Sequence, residues 1–248
     1  MNDLGTTGPP PAAAGPVHLS AATAIPSWHA RSGRLTARKR WALEELAARF
    51  APDPDDVALT GLAATALEIG AGTGEAALAL AATRPDLLVV ATEVHKASLA
   101  RLLLDLERSA AGNVRVANGD GRAVLATIGA ARRLDLVRVF FPDPWPKRRH
   151  HARRLVDRTF VTLVGDVLAP GGLLELATDD ARYSAAMRDL VAADPRLVPV
   201  PDAGRADRPL TYYERRAIEA GRPVLDLCYR RRVDPEPPPA GGRTGAKP

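Results

Sequence analysis

The sequence lacks several features that would assign it to common classes of protein. It has one cysteine, Cys228, in 248 residues, so no disulfide can form within the chain, which fits a reducing compartment. No apolar run approaches the roughly 20 residues that span a bilayer, and the N-terminus has no secretory signal. No histidine and cysteine cluster has the spacing of a metal site, and no internal repeat is present. We therefore expect a soluble, cytoplasmic protein without a membrane anchor or a metal.

The chain does contain enough apolar sequence for one sizeable core, and it carries a slight excess of positive charge. Hydrophobic residues make up 46%, and 34 Lys and Arg against 29 Asp and Glu give a net charge of +5. This excess favours an anionic partner. Segments 1–26 and 234–248 are rich in proline and glycine, and we predict that they are disordered tails on a single domain, 27–233. The sequence does not specify an oligomeric state.

A glycine turn between a strand and a helix is the first candidate ligand site. The stretch 65–75 contains Gly70, Gly72 and Gly74 in G-x-G-x-G spacing, and an Ala/Leu-rich helix follows. Glycine allows positive φ and close approach of a ligand, and the helix N-terminus offers free N–H groups. The spacing differs from the G-x-G-x-x-G of dinucleotide-binding proteins, which disfavours a nicotinamide oxidoreductase.

Two acidic residues accompany this turn. Glu68 lies at the end of the first strand, and Glu93 follows the second strand, 87–92. An acid at the end of the second strand is placed to accept both ribose hydroxyl hydrogens, and Glu68 can face the ammonium group of a ligand. Such an acidic lining repels a pyrophosphate and favours a cation. The alternative is a tight strand–helix turn with two solvated acids.

The fourth strand, 134–141, ends in a loop with three prolines in the five residues 142–146. Proline fixes φ and cannot donate to a ladder, so this loop is predicted to be stiff. It holds Asp143 and Trp145, and a carboxylate beside an aromatic plate suits a nucleobase. The alternative is a core tryptophan beside a solvated charge run. The basic residues that follow suit phosphates; they are Lys147, Arg148, Arg149, Arg153, Arg154 and Arg158.

Three other positions carry candidate ligand residues. Asp120 follows the third strand, and it either binds an adenine amino group or serves as an ordinary turn residue. Asp179 follows the fifth strand. Thr211 and Glu214 have the spacing of a capping box at the start of a helix.

Strands alternate with helices along the chain, which predicts an α/β fold. After the first strand, the predicted strands cover 87–92, 113–117, 134–141, 173–178, 197–200 and 224–229, with a turn at 169–172. Glu68, Glu93, Asp120, Asp143 and Asp179 all follow strand ends. Ligands of open α/β sheets bind outside the carboxyl ends of strands, so these five acids predict one ligand site.

Five stretches together resemble the bacterial tRNA guanine-N7 methyltransferases, which are class I S-adenosylmethionine-dependent methyltransferases. They read G-R-L-T at 33–36, L-E-I-G-A-G-T-G at 67–74, F-F-P-D-P-W-P-K at 140–147, A-T-D at 177–179 and T-Y-Y-E-R-R at 211–216. Many methyltransferases share the glycine motif, whereas the proline loop is far more specific. The resemblance implies a Rossmann-like, mostly parallel seven-stranded sheet with helices on both faces. It also implies methylation of N7 of guanosine 46 in the variable loop of tRNA.

The resemblance implies a role for each residue at a matching position, with S-adenosylmethionine as the cofactor and tRNA as the substrate. Asp143 is implied as the catalytic residue. Contacts with the cofactor or its surroundings are implied for Glu68, Gly70, Gly72, Gly74, Glu93, Asp120 and Asp143. Contacts with the substrate are implied for Lys147, Asp179, Thr211, Tyr212, Tyr213 and Glu214. The sequence departs from the family at Tyr212, where lysine is common, and at Asp180, where tryptophan often stands.

The implied reaction needs no general base. Guanine N7 carries an in-plane lone pair and no proton, so alignment and electrostatics are the main tasks of the protein. Asp143 either accepts from guanine N1–H and N2–H or stabilises the growing positive charge, and the sequence leaves both open. Two alternatives also stay open: methylation of an exocyclic amino group of RNA or DNA, and a non-catalytic RNA-binding protein with a vestigial cofactor fold. Equilibrium binding of S-adenosylmethionine separates the enzyme from the binding protein.

Overall fold

Strands and helices alternate along the chain, as the sequence predicts. The structure, a computed structural model, describes residues 27, 35–51, 62, 64–109, 111–131, 133–201, 203, 205 and 208–233. The two predicted tails and the Gly33–Arg34 part of the first motif lie outside the described residues. The strands are β1 Ala64–Ile69, β2 Leu87–Glu93, β3 Val114–Asn118, β4 Leu134–Phe140, β5 Leu168–Thr178, β6 Leu197–Pro199 and β7 Leu225–Arg231.

Helices connect these strands. The first, α1, runs through an α-helical stretch Ala37–Trp41, a π-helical turn Ala42–Leu46 and a last α-helical turn Ala47–Arg49. The others are α2 Glu75–Thr83, α3 Lys96–Ser109, α4 Gly121–Ala131, α5 Arg158–Val167, α6 Ala181–Ala192 and α7 Tyr212–Glu219, with a 3₁₀ helix at Arg148–Arg153. Among the described residues, no helix is long and apolar enough to span a membrane.

The seven strands form one sheet in the order β3-β2-β1-β4-β5-β7-β6. Strands β1 to β5 pair in parallel, whereas β7 pairs antiparallel with both β5 and β6. The predicted Rossmann-like, mostly parallel seven-stranded sheet is therefore confirmed. Strand order reverses between β1 and β4, and open α/β sheets bind ligands at such a reversal.

Two apolar layers cover the two faces of the sheet. One contains residues of α4, α5 and α6, such as Leu125, Phe160 and Tyr183, and the other contains residues of α1, α2 and α3. Successive residues of β1 alternate between the layers, because Leu67 joins the first and Ala66 the second. The leucines of α3 that the sequence predicts as core are at most 1% exposed; they are Leu99, Leu102, Leu103 and Leu106.

One predicted turn is wrong, because the chain stays in the sheet there. The predicted turn at 169–172 lies inside β5, and β5 bulges between its pairings with Leu134 and with Leu136 of β4. Glycine permits this bulge: Gly171 has φ +82°, and a Cβ on Gly172 would lie 2.9 Å from the Ala169 carbonyl oxygen. The other predicted strands from β2 onward differ from the structure by one or two residues at their ends.

Candidate active site

The glycine turn joins β1 to α2 at the carboxyl end of the sheet. Gly70, Gly72 and Gly74 all have positive φ, at +74°, +59° and +84°. The Gly70 N–H donates to the Thr92 carbonyl oxygen at 3.0 Å, so the turn is tied to the end of β2. A Cβ on Gly74 would lie 2.2 Å from Leu102 Cδ1, so this glycine lets α3 pack against the turn. The glycines are therefore explained by backbone conformation and by packing.

Glu93 fastens the glycine turn to the end of β2. Its Oε2 accepts from the Gly72 N–H at 2.8 Å, and its Oε1 accepts from the N–H groups of Val94 and His95, each at 2.7 Å. The side chain is buried rather than solvated. A carboxylate oxygen can accept two hydrogen bonds, so Oε2 keeps capacity for a ligand hydroxyl.

Glu68 is a buried carboxylate in a row of charges that crosses the sheet. Its register partner on β4 is Arg138, whose own partner on β5 is Glu175. The Arg138 guanidinium donates to Glu175 at 2.8 Å. Within the described part of the chain, Glu68 Oε2 is buried and has no hydrogen-bond partner. Burial raises the pKa of Glu68 to about 7 against the lowering effect of Arg138. Such an oxygen suits a ligand cation.

Glu68 is expected to make the stability of the ligand-free protein fall as pH rises. Its pKa is about 7 in the folded protein and 4.5 ordinarily, so between these values the folded state holds a proton that the unfolded state releases. The stabilising contribution is complete below pH 4.5 and is lost as pH rises through about 7. Urea unfolding of wild type and Glu68→Gln between about pH 5 and 8 measures this contribution. An equally steep decline in Glu68→Gln would contradict it.

The loop that carries Asp143 is held in place from several sides. Phe141 and Trp145 are the two non-glycine residues with positive φ in the described chain, at +52° and +45°. Positive φ takes Phe141 out of the strand region, so β4 ends one residue earlier than predicted. The Trp145 indole N–H donates to the Ser27 carbonyl oxygen at 3.2 Å. Arg154 Nε donates to the Pro144 carbonyl oxygen at 2.9 Å. The predicted stiff loop is therefore anchored by tertiary contacts as well as by proline.

Two residues near this loop have roles other than those predicted. Trp145 is only 3% exposed, so it is the core tryptophan of the alternative interpretation and offers no exposed plate to a nucleobase. Arg154 is predicted to continue the basic face, but it is only 8% exposed. Its guanidinium lies 4.5 Å from the ring centroid of Tyr183, whose hydroxyl accepts from the Val156 N–H at 3.0 Å. Arg154 therefore supports the loop from inside, and the prediction that it is a surface cation is wrong.

Two adjoining cavities open at the carboxyl ends of the strands. The first cavity is lined by Glu93, His95, Gly119 and Asp143 among others. The second cavity is lined by Glu68, Gly72, Lys39, Thr211 and Tyr212 among others. Both cavities share four lining residues, which are Gly70, Phe140, Phe141 and Tyr213. Glu93 and Asp143 thus face one space, and Glu68 faces the other.

The start of helix α7 lines the second cavity together with the glycine turn. The Thr211 hydroxyl accepts from the Glu214 N–H at 3.4 Å, which is half of the predicted capping box. The Glu214 carboxylate instead accepts from Arg205 at 2.8 Å and from Arg208 at 3.3 Å, and it is buried. The N–H of Tyr212 donates to Glu75 at 2.6 Å. Tyr212 and Tyr213 stay exposed at the cavity mouth.

Three other residues that the sequence predicts as ligand-binding lie outside the contacts described above. Asp120 Oδ1 accepts from the N–H groups of Arg122 and Ala123 at 2.9 and 3.2 Å, so it caps α4 as a turn residue does. Asp179 accepts from Arg222 at 2.8 Å. Lys147 is exposed at the start of the 3₁₀ helix. Among the described residues, no three His, Cys, Asp or Glu side chains are grouped to hold a metal.

Arg208 is a central residue that the sequence did not single out. Its side chain is 2% exposed and donates to Glu214 on α7 and, at 2.6 Å, to Asp226 on β7. Its guanidinium lies 4.7 Å from the ring centroid of Phe140 and 5.7 Å from that of Phe141. Arg208 therefore ties α7 to the wall shared by the two cavities. In the sequence it looks like one more cation in a basic loop.

Comparison with solved structures gives the class of this fold. The chain is 14% identical to the 16S rRNA methyltransferase KamB, with a TM-score of 0.52 over 74% of this chain and 95% of that one. It is also 14% identical to the antibiotic-resistance methyltransferase Kmr, with a TM-score of 0.51 over 75% and 95%. The seven-stranded sheet of this chain therefore has the Rossmann-like fold of these methyltransferases.

Sequence comparison narrows this class to one family. Residues 63–227 match the family model described as "Putative methyltransferase". A tRNA (guanine-N(7)-)-methyltransferase of Alkalilimnicola ehrlichii is 43% identical over 85% of this chain and 94% of its own length. One from Streptomyces coelicolor is 40% identical over 88% and 84%. The chain belongs to the tRNA (guanine-N(7)-)-methyltransferase family.

Proposed function

We propose that this protein is an S-adenosylmethionine-dependent tRNA (guanine(46)-N(7))-methyltransferase. The observation that carries the proposal is that Asp143, from the loop most specific to the family, lines the same cavity as Glu93 and the glycine turn. The same activity is that of relatives which match this chain over 84–94% of their own length. A tRNA substrate implies that the enzyme acts in the cytoplasm.

The residues of the two cavities fit S-adenosylmethionine. Glu68 Oε2, a buried oxygen without a partner in the described chain, would accept from the ammonium group of the methionine end. Glu93 Oε2 would accept from a ribose hydroxyl of the adenosine end, beside the turn of Gly70 and Gly72. Asp120 would contribute to this end from the start of α4. When bound, the cofactor supplies an electrophilic methyl group on a positively charged sulfur.

Asp143 would contact the guanine that receives this methyl group. Transfer of this methyl group to guanine N7 would leave the guanine ring with a positive charge. A fixed carboxylate stabilises that growing charge, and it can also accept from guanine N1–H and N2–H. Both roles need Asp143 as an anion, and the loop holds it without a large entropy cost on binding.

The substrate would approach across α7 and the basic 3₁₀ segment. Thr211, Tyr212 and Tyr213 lie at the mouth of the second cavity. Glu214 would contribute by holding α7 in place through its arginine partners. Asp179, which accepts a hydrogen bond from Arg222, would lie beside them. The exposed cations of the segment would meet phosphates; they are Lys147, Arg148, Arg149 and Arg153.

Neutralising this segment is expected to make tRNA binding less dependent on salt. In the variant Lys147→Gln, Arg148→Gln, Arg149→Gln and Arg153→Gln, the slope of log K against log salt should fall by roughly 0.7–0.9 for each phosphate that no longer meets a cation. Filter binding of tRNA at several salt concentrations gives the slope. Arg84→Gln with Arg133→Gln is the control, because these exposed arginines precede β2 and β4, at the amino ends of the strands. An unchanged slope in the first variant would show that its cations are only solvated.

Calorimetry with the free protein tests the cofactor assignment. S-adenosylmethionine should bind, whereas NAD should not, because the buried Glu68 carboxylate lines the cavity beside the glycine turn and disfavours a pyrophosphate there. Affinity for S-adenosylmethionine should rise with pH toward 7, because its ammonium group favours the ionised form of Glu68. Binding of NAD without binding of S-adenosylmethionine would contradict the proposed function.

A further inference from the structure

The wall shared by the two cavities is where the reacting methyl group would lie. This inference rests on the proposed function. Glu93 lines the first cavity and Glu68 lines the second, so the two ends of S-adenosylmethionine would occupy different cavities. Its sulfonium lies between those ends. A cofactor that spans both cavities must therefore pass its sulfonium along the shared wall.

Three of the four residues in that wall are aromatic, and they come from different parts of the chain. Phe140 already has two guanidinium groups near its ring, those of Arg138 at 5.7 Å and Arg208 at 4.7 Å. Phe141 has Arg208 at 5.7 Å. Cations at these rings make them poor places for one more positive charge. Tyr213 is the aromatic residue that reaches the wall from α7 rather than from β4 and its loop.

Tyr213 is placed firmly although it is 42% exposed. A Cβ on Gly72 would lie 4.0 Å from its Cε2 atom, so the ring reaches the glycine turn. Its backbone neighbours are fixed, because the Tyr212 N–H donates to Glu75 and the Glu214 carboxylate accepts from Arg205 and Arg208. The ring is therefore presented to the wall by an anchored helix.

We propose that Tyr213 recognises the positive charge of the methylsulfonium and distinguishes the charged substrate cofactor from the neutral product S-adenosylhomocysteine. The negative face of an aromatic ring attracts a cation and gains little from a neutral thioether. The same ring lies beside the charge as it passes from sulfur to guanine during transfer. Tyr213 thus favours binding of the substrate cofactor and release of the product.

The test compares binding of charged and neutral ligands by calorimetry, without tRNA. Tyr213→Leu should weaken the binding of S-adenosylmethionine about 3- to 30-fold, while the affinity for S-adenosylhomocysteine should stay nearly unchanged. Sinefungin, which carries a protonated amine in place of the methylsulfonium, should follow S-adenosylmethionine. Tyr213→Phe keeps the ring and should keep the preference. Fluorination of that phenylalanine withdraws electron density from the ring without changing its shape much, so affinity for the charged ligands should fall stepwise.

Trp41→Leu is the matched control, because Trp41 is an exposed aromatic residue that lines neither cavity. Its ratio of affinities for charged and neutral ligands should equal that of wild type. If Tyr213→Leu weakens the binding of all three ligands equally, the proposal is wrong and the ring is only a packing contact. Wild-type protein that binds none of the three ligands would overturn the proposed function itself, so the two failures are distinguishable.

Discussion

Asp143→Asn is expected to fold and to bind S-adenosylmethionine, yet to methylate tRNA about 10²–10³ times more slowly. The side chain lies between Pro142 and Pro144, in a loop held by Trp145 and Arg154. The substitution therefore changes charge far more than shape. Asparagine keeps one acceptor but loses the anion, and its NH₂ group would face the guanine donors. The loss corresponds to roughly 3–4 kcal/mol of transition-state stabilisation.

Single-turnover kinetics with saturating tRNA separate this effect from substrate affinity. The rate constant for methylation should fall, whereas the Kd for tRNA should change much less. Asp86→Asn is a suitable control, since Asp86 is an exposed acid paired with Arg84 at the amino end of β2. A near wild-type rate for Asp143→Asn would mean that Asp143 is a structural turn residue.

Arg208→Ala is expected to lower the free energy of unfolding by about 3–5 kcal/mol, which is typical when one partner of a buried ion pair is removed. Glu214 and Asp226 would lose a guanidinium that is 2% exposed. The rings of Phe140 and Phe141 would lose the cation that lies against them. Urea unfolding measures the change.

Arg205→Ala is the matched control for Arg208→Ala. Arg205 pairs with the same carboxylate, but its side chain is 38% exposed. Glu214 would keep Arg208 in this variant, so the loss should be about 1 kcal/mol or less. Equal losses in the two variants would contradict the central role of Arg208.

Acidification should weaken the contacts of Glu214 with Arg205 and Arg208, because it protonates the Glu214 carboxylate. Burial alone would raise the pKa of Glu214, but the bonds from Arg205 and Arg208 outweigh it and hold the pKa below the usual 4.5. The stabilising contribution is therefore present above pH 4.5 and is lost as pH falls through the pKa of the folded state. Arg208→Ala should lose less stability than wild type as the solution is acidified, and this sign is opposite to that expected for Glu68.

Local patterns in the sequence predicted much of the site. The glycine turn and Glu93 follow from a strand, a tight turn and a helix in succession. The position of Asp143 follows from a strand that stops at prolines. These features depend on neighbouring residues, and the structure places Glu93 and Asp143 in one cavity.

The parts that the sequence did not predict depend on residues far apart in the chain. Arg154 and Arg208 look like solvated cations, and only the packing of Tyr183, Phe140 and α7 buries them. The predicted capping box forms only by half, because Glu214 finds two arginines that outcompete the backbone N–H of Thr211. Burial of a charge requires partners from other elements, and a local pattern does not contain them.

The most direct test of the central claim uses tRNA transcript, wild-type protein and S-adenosylmethionine with a deuterated methyl group. Nucleoside mass spectrometry identifies the product, and aniline cleavage after borohydride reduction maps its position. The proposed function predicts deuterated 7-methylguanosine at a single guanosine of the variable loop, and far slower formation with Asp143→Asn. A label in N2-methylguanosine or N6-methyladenosine, or no label in any nucleoside, would contradict it.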